Sequence, residues 1–112
     1  MARFNDNGTQ YHIVYLPEGV DLKKVRIWLN EEIGIEGEVL DIDIIEDEEL
    51  VEIAAKLNQQ GIKKIDSLHI ACAIKANADF FLTTDDGVLK KASIVKDIKI
   101  TDPIGFIKEV SA

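Results

Sequence analysis

Hydrophobic and polar residues follow two different periods along the chain, and each change of period marks a predicted strand or helix. Residues 11–16 are rich in β-branched and aromatic types and end at a Pro-Glu-Gly turn, which predicts a strand. Apolar residues then recur at helical spacing over 22–33, with Asp21 as the helix cap. A turn at 36–37 leads into 39–45, where apolar and acidic residues alternate as in a strand with one polar face.

The second half of the chain repeats this alternation of helix and strand patterns. Asp47 is a predicted cap for a helix whose apolar stripe ends at Gly61. Segment 66–78 is apolar on nearly all sides and rich in small residues, which indicates a closely packed central helix. Residues 80–84 form a nearly continuous apolar run, the pattern of a strand covered on both faces. The remaining predicted elements are a short helix at 88–92, a strand at 98–101 and a terminal helix after Asp102-Pro103.

This order of elements predicts the fold class. Strands that alternate with helices favour an α/β fold with a mostly parallel central sheet and helices on both faces. A length of 112 residues fits one domain, and the chain shows no internal repeat or linker. We therefore predict a single domain over residues 1–112.

Composition narrows the class of protein. The 13 Lys+Arg against 21 Asp+Glu leave a net charge of −8, which disfavours passive wrapping of nucleic acid but leaves a metal-dependent nuclease open. The simpler explanation of the charge is that it keeps a small protein soluble. No apolar run approaches the roughly 20 residues that span a bilayer, and the first residues lack the apolar region of a signal peptide. A single cysteine, Cys72, forms neither an internal disulfide nor a cysteine-based zinc site. We expect a cytoplasmic protein with no membrane segment.

Three acidic residues stand where α/β sheets bind ligands, outside the carboxyl ends of strands. The strand at 80–84 leads into Asp85 and Asp86, and Asp66 opens a helix that starts at the same edge if helix and strand are antiparallel. Carboxylates there, with the nearby hydroxyls of Thr83 and Thr84, are the hard oxygen ligands that Mg²⁺ or Mn²⁺ prefers. Such ions activate water and offset charge on the scissile phosphate of a nucleic acid.

Each candidate also has a purely structural explanation. Asp66 is explained as a helix N-cap, and Asp85 and Asp86 are explained as turn residues before Gly87. His69 lies one helical turn after Asp66 and is either its neighbour or a partly buried helix residue. Cys72 has no candidate base at a fixed spacing, which argues against a nucleophile.

Two motifs resemble the C-terminal half of PIN domains. The first, over 61–73, reads Gly-Ile-Lys-Lys-Ile-Asp-Ser-Leu-His-Ile-Ala-Cys-Ala. The second, over 78–92, reads Ala-Asp-Phe-Phe-Leu-Thr-Thr-Asp-Asp-Gly-Val-Leu-Lys-Lys-Ala. Residues 98–106 also resemble the last strand of that family and the turn after it. The resemblance extends over about residues 40–110.

The resemblance implies a three-layer α/β/α fold and a metal-dependent ribonuclease of the kind found in VapC-type toxins of prokaryotic toxin–antitoxin pairs. Such proteins gather acidic residues around Mg²⁺ or Mn²⁺ ions. By motif position, Asp66 opens the Asp-x-x-His-x-Ala helix and Asp85 closes the Thr-x-Asp strand, with Thr83 as the motif threonine. The resemblance therefore implies that Asp66 and Asp85 are catalytic and bind metal, with Asp86 as an assisting neighbour. It also implies RNA as the substrate, an antitoxin protein as a partner and a homodimer.

The N-terminal part departs from the family pattern. Members usually begin with a strand that ends in aspartate, whereas here 15–18 reads Tyr-Leu-Pro-Glu, and the helix that usually carries a glutamate is shortened or missing. Glu18 is an available substitute, although Pro17 sets a different backbone. Residues 1–38 are thus atypical, 39–110 resemble the family, and we predict a PIN-like domain truncated or altered at its N-terminal part. The alternative function is a catalytically incomplete PIN-like protein that acts by homo-oligomerisation or protein binding.

Overall fold

The computed structural model describes residues 2–6, 10–15, 31, 36–39 and 46–110 of the chain. The strands are β1 (Ala2–Asp6), β2 (Gln10–Tyr15), β3 (Glu36–Val39), β4 (Phe80–Leu82) and β5 (Lys99–Thr101). The helices are α1 (Glu48–Gln59), α2 (Lys64–Lys75), α3 (Asp86–Leu89) and α4 (Pro103–Val110), with a 3-10 helix at Ala92–Ile94. Within these ranges no helix is long and apolar enough to cross a membrane.

The five strands form one sheet in the order β3-β1-β2-β4-β5. Strands β2, β4 and β5 are mutually parallel, with Val14 opposite Phe80 and Phe81 opposite Ile100. Strand β1 is antiparallel to both of its neighbours, β2 and β3. The parallel half is the part built by alternating strands and helices, because a parallel pair needs a long crossover between its strands.

The sequence predicted the parallel half of the sheet and missed the antiparallel half. The predicted strands at 11–16, 80–84 and 98–101 correspond to β2, β4 and β5. The predicted turn at 36–37 is wrong, because these residues begin β3, where Gly37 lies opposite Phe4 of β1. Pairing with a distant strand overrides local turn preference here. The predicted helix at 22–33, apart from residue 31, and the remainder of the predicted strand, at 40–45, lie outside the described residues.

Helix α1 begins at the predicted cap. The side chain of Asp47 accepts a hydrogen bond of 3.0 Å from the backbone N–H of Leu50, which satisfies one of the unpaired donors of the first turn. Glu48 and Glu49 follow in that turn, where the positive end of the helix dipole favours acids.

Helices α1 and α2 both end in the same hydrogen-bonded turn, once at a glycine and once at an asparagine. After α1, Gly61 has a φ of +100°, and the N–H of Ile62 donates to the Leu57 carbonyl at 3.2 Å. After α2, Asn77 has a φ of 57°, and the N–H of Ala78 donates to the carbonyl five residues earlier at 3.0 Å. This is the Schellman motif, which needs a residue in the left-handed region. The predicted end of the central helix at Ala78 is therefore wrong, because α2 ends at Lys75 and Asn77 makes the left-handed turn after it.

Strand β4 is covered on both faces, as its sequence predicted. All three of its residues are buried, and alternate side chains point to opposite sides of the sheet. Phe81 belongs to a core with Leu57 of α1 and Ile70 of α2. Phe80 meets Phe106 of α4 edge to face on the other side, with ring centroids 5.0 Å apart. Helices α1 and α2, the sheet, and α4 thus form three layers, which confirms the α/β prediction.

Candidate functional site

The candidate site lies at the edge of the sheet where β4 and β5 end. Both strands run in the same direction, so their carboxyl ends meet there, and Thr83 N–H donates to the Thr101 carbonyl at 3.0 Å to extend the ladder past β4. Helix α2 returns to β4 through the short turn 76–79, so the first turn of α2 lies at this edge as well. Asp66 is about 13 Å back along α2 from Lys75, at about 1.5 Å per residue. Asp85 comes three residues after the end of β4 and caps the next helix, so it too stands at this edge. We call this region the carboxyl edge; its candidate residues are Asp66, Thr83, Asp85 and Asp86.

Asp85 is the N-cap of α3. Its Oδ1 accepts a hydrogen bond of 3.0 Å from the N–H of Val88, and its own N–H donates to Thr83 Oγ1 at 3.1 Å. The backbone is extended at Asp85, with φ −75° and ψ 116°, so the chain leaves the strand and enters the helix at this residue. The cap also explains why α3 begins at Asp86, two residues before the predicted helix at 88–92. Thr83 and Asp85 therefore form one hydrogen-bonded turn, in which the second carboxylate oxygen, Oδ2, is not the atom that caps the helix.

Asp66 has a different environment in the first turn of α2. The N-cap of α2 is Lys63, which makes no capping hydrogen bond with its side chain, and Asp66 is the third residue of the helix. The interpretation of Asp66 as the N-cap is therefore wrong. Its carboxylate still favours the helix through the dipole, since the first turn carries positive partial charge. Asp66 is half-buried, whereas Asp85 and Asp86 are exposed.

The first turn of α2 is held in place by residues other than Asp66. Ser67 is 1% exposed, and its hydroxyl donates to the Ile62 carbonyl at 3.1 Å. Asn58 Nδ2 donates to the same carbonyl at 2.9 Å, from the end of α1. Two side chains thus fix the loop that leads into α2, and this loop determines where Asp66 stands.

The donor atoms at the carboxyl edge suit a hard divalent cation. Carboxylate oxygens of Asp66, Asp85 and Asp86 with the Thr83 hydroxyl are the ligand types that Mg²⁺ and Mn²⁺ prefer. Within the described residues, however, no group of three or more His, Cys, Asp or Glu side chains is close enough to hold a metal ion. Glu18, the candidate substitute for the family's first aspartate, lies outside the described residues. The donor types suit such a cation, but the described residues do not assemble three such ligands, and Asp66 and Asp85 as its ligands stay a prediction.

The other candidate residues on α2 are His69 and Cys72. His69 is partly buried, as expected for a helix residue that faces its neighbours. Burial, followed by the charge of Glu46, raises the pKa of the Cys72 thiol, so the thiol is protonated at neutral pH. A nucleophilic cysteine needs the opposite shift.

Sequence reasoning did not include Asp102 among the site residues. It follows β5 at the carboxyl edge, and its Oδ1 accepts a hydrogen bond of 2.6 Å from the N–H of Gly105 in the first turn of α4. The signal was present in the sequence, because Asp before Pro103 is the pattern of a helix cap followed by proline at the first helical position. Both strands that end at this edge are thus followed by an aspartate that caps the next helix.

Comparison with known families decides the classification. A profile of the PIN domain family matches residues 11–94, which is most of the chain. The chain belongs to the PIN domain family. The match includes β2, both PIN motifs and all four candidate residues of the carboxyl edge. No curated protein and no solved structure gives a significant match. Membership of the PIN family points to nuclease-like chemistry in general, and the finer assignment depends on the carboxyl edge.

Proposed function

We propose that this PIN domain is a divalent-metal-dependent ribonuclease that hydrolyses RNA phosphodiester bonds at the carboxyl edge. The observation that carries the proposal is that two acids from separate motifs stand on elements that meet at one edge of the sheet. Asp66 lies in the first turn of α2, and Asp85 follows β4 as the N-cap of α3, so both stand where these elements begin or end at the same edge of the sheet. Ligand sites of α/β sheets occur at this edge.

The residues have distinct roles in the proposed site. Asp66 and Asp85 hold Mg²⁺ or Mn²⁺, Asp86 assists from the first position of α3, and Thr83 holds the backbone turn of Asp85 by accepting its N–H at 3.1 Å. When bound, the cation offsets the negative charge of the phosphodiester and makes water a stronger nucleophile. In the toxin form of the proposal, RNA is the substrate in a prokaryotic cytoplasm, an antitoxin protein is the partner, and the domain is a homodimer.

The direct test is Mn²⁺ binding by calorimetry, with wild type compared with Asp85→Asn and Asp66→Asn. We expect each variant to weaken Mn²⁺ binding at least about 10-fold, because each removes one anionic ligand. Asp97→Asn is the matched control, since Asp97 is an exposed aspartate that precedes β5, at the opposite end of the sheet. We expect this control to bind Mn²⁺ like wild type.

The same variants test the reaction. We expect wild type and Asp97→Asn to cleave RNA with Mg²⁺ or Mn²⁺ but not with EDTA, and we expect the two site variants to lose this cleavage. Metal-dependent cleavage that survives in both site variants would contradict the assignment of Asp66 and Asp85.

A second function is favoured by one specific observation, the use of Asp85 Oδ1 as a helix cap. A carboxylate that stabilises α3 has a structural reason to be present even in a protein without catalysis. In that case the domain acts by association with itself or another protein. Analytical ultracentrifugation, together with the cleavage assay, separates the two functions. The second function predicts a stable oligomer that does not cleave RNA and whose assembly is unaffected by EDTA and by both substitutions.

A further inference from the structure

Four lysines flank the carboxyl edge in two pairs. Lys63 and Lys64 stand at the start of α2, and Lys90 and Lys91 follow α3 directly. Lys63, Lys64 and Lys90 are exposed, and Lys91 is half-buried. We call these four residues the lysine strip.

The two pairs converge around the turn between α1 and α2. The ammonium group of Lys91 lies over Gly61, where a Cβ atom would be only 2.6 Å from Lys91 Nζ. Gly61 precedes Lys63 by two residues, so the segment that follows α3 contacts the loop that leads into α2. Through this contact Lys91 places the second lysine pair near the first, although the pairs are 26 residues apart in the sequence (from Lys64 to Lys90).

Each lysine pair is one helical turn from an acid of the carboxyl edge. The N–H of Lys90 donates to the Asp86 carbonyl at 3.0 Å, so these residues are neighbours on the surface of α3. Lys63 precedes Asp66 by three residues, which is again one turn. The lysine strip therefore runs beside the acids on both elements that build the proposed site.

In the described part of the chain the strip lysines have no carboxylate partner, and neither do Lys56, Lys96 and Lys108, so the strip is distinguished by its position beside the acids. Lys75, by contrast, is paired with Asp47 and Glu49, and Lys99 is paired with Glu109. The charges of the strip lysines are available for a ligand, whereas those of Lys75 and Lys99 are already offset by carboxylates.

A protein with a net charge of −8 repels a polyanion at long range, so RNA needs a local cationic surface to approach the acids. Lysine ammonium groups contact phosphates without reading the bases, and each contact releases counterions from the nucleic acid. We propose that the lysine strip binds the phosphate backbone of a single-stranded RNA and holds it against the carboxyl edge. The inference rests on the proposed ribonuclease function and names the residues that would bind its substrate.

The test uses the full chain in EDTA, so that RNA binding is measured without metal binding or cleavage. The strip variant is Lys63→Gln/Lys64→Gln/Lys90→Gln; Lys91 is kept because it packs on Gly61. The matched control is Lys56→Gln/Lys96→Gln/Lys108→Gln, which changes three exposed lysines elsewhere and alters the net charge equally. Fluorescence anisotropy with a labelled single-stranded RNA of mixed sequence gives the affinity across a range of salt concentrations.

We expect the strip variant to bind RNA at least about 10-fold more weakly than wild type at low salt, with the slope of log K against log salt reduced by about 2. We expect the control to change affinity by less than about twofold, and thermal melting to show that both variants are folded. Equal losses in the two variants would overturn the proposal, and so would wild type that does not bind RNA.

The outcome is independent of the metal site. Strip-dependent RNA binding without Mn²⁺ binding or cleavage would contradict the proposed ribonuclease and leave the strip supported. If the protein binds Mn²⁺ and cleaves RNA but its RNA affinity does not depend on the strip, the ribonuclease proposal is supported and the lysine strip proposal is contradicted.

Discussion

The first turns of α2 and α3 carry the two motif aspartates, but they are stabilised in different ways. Helix α3 has four residues, and its first turn depends on the Asp85 side chain, which accepts the Val88 N–H at 3.0 Å. Helix α2 has twelve residues and no side-chain cap, and it is held by buried side chains that include Ser67 and Ile70. An acid at a motif position can therefore stabilise a helix itself, as Asp85 does, or stand in a helix that other residues stabilise, as Asp66 does. Removing the Asp85 side chain therefore changes both the stability of α3 and the proposed metal site.

This difference decides which variants are informative. At Asp85, asparagine keeps a cap acceptor and removes the charge, whereas alanine removes both. At Asp66, which is the third residue of α2, neither substitution changes the N-cap residue, Lys63. We expect the free energy of unfolding to depend most on the packing that holds α2, less on the cap of α3, and least on Asp66 and Asp47.

The largest effect is expected from the packing that holds α2. Ile70 is 0% exposed, so Ile70→Ala should lower the free energy of unfolding by about 2–5 kcal/mol through lost burial and a cavity. Ile65 is the matched control on the same helix, since it is 69% exposed, and Ile65→Ala should change stability by less than about 0.5 kcal/mol. Urea unfolding measures both. Similar losses in the two variants would mean that packing does not hold the first turns of α2.

The second effect is the loss of the α3 cap. Asp85→Ala should destabilise the protein by about 1 kcal/mol, and Asp85→Asn by less, because asparagine is also a good N-cap. Circular dichroism during urea unfolding gives the two free energies. An Asp85→Asn variant as unstable as Asp85→Ala would show that the charge, and not the cap hydrogen bond, stabilises this turn.

A smaller effect is expected at Asp66. Asp66→Ala removes an acid from the first turn of α2 and should cost about 0.3 kcal/mol at low ionic strength, decreasing as salt screens the helix dipole. The same unfolding experiment at two salt concentrations tests this. If Asp66→Ala destabilises the protein as much as Asp85→Ala, the two helix starts do not differ as described.

The smallest effect concerns Asp47, the cap of α1, and it appears as a pH dependence. The hydrogen bond from Lys75, followed by the N–H of Leu50, lowers the pKa of Asp47 below its ordinary value of 3.8. Because the folded-state pKa is the lower one, this stabilisation is present above pH 3.8 and is lost as pH falls through the folded-state pKa. Asp47→Asn should therefore flatten the stability profile below pH 3.8 while keeping a cap acceptor.

Lys75, the other partner of this ion pair, contributes a pH dependence at the alkaline end of the stability profile. Its hydrogen bond to Asp47 raises the pKa of Lys75 above 10.5, so its contribution is present below pH 10.5 and is lost as pH rises through the raised value. Lys75→Gln should flatten the profile in that alkaline range. Thermal melting across the acid and alkaline ranges checks both variants, and a profile that is unchanged in both would contradict the pairing.

Much of the C-terminal half could be predicted because its signals are local. Asp47 as a cap, Gly61 as a helix end and the two-sided burial of 80–82 each follow from a few adjacent residues and the hydrogen bonds of one turn or strand. The end of α2 was missed because Asn77 lies within an apolar run, and its left-handed backbone is less typical than that of glycine. The predicted site residues were also local, since Asp66, Thr83, Asp85 and Asp86 occur in two short motifs.

The sequence by itself determined the order of caps, turns and buried strands and the choice of two motif acids, because short-range backbone preferences and burial periods are written in neighbouring residues. Only the tertiary structure decided that 2–6 and 36–39 pair as strands, since that pairing joins segments whose own patterns are weak. It also decided that Asp85 caps a helix while packing holds Asp66 in place. The close approach of Lys91 to Gly61, two residues before Lys63, likewise joins segments that are far apart in the sequence. Contacts between distant segments depend on how the layers pack, and no local pattern encodes them.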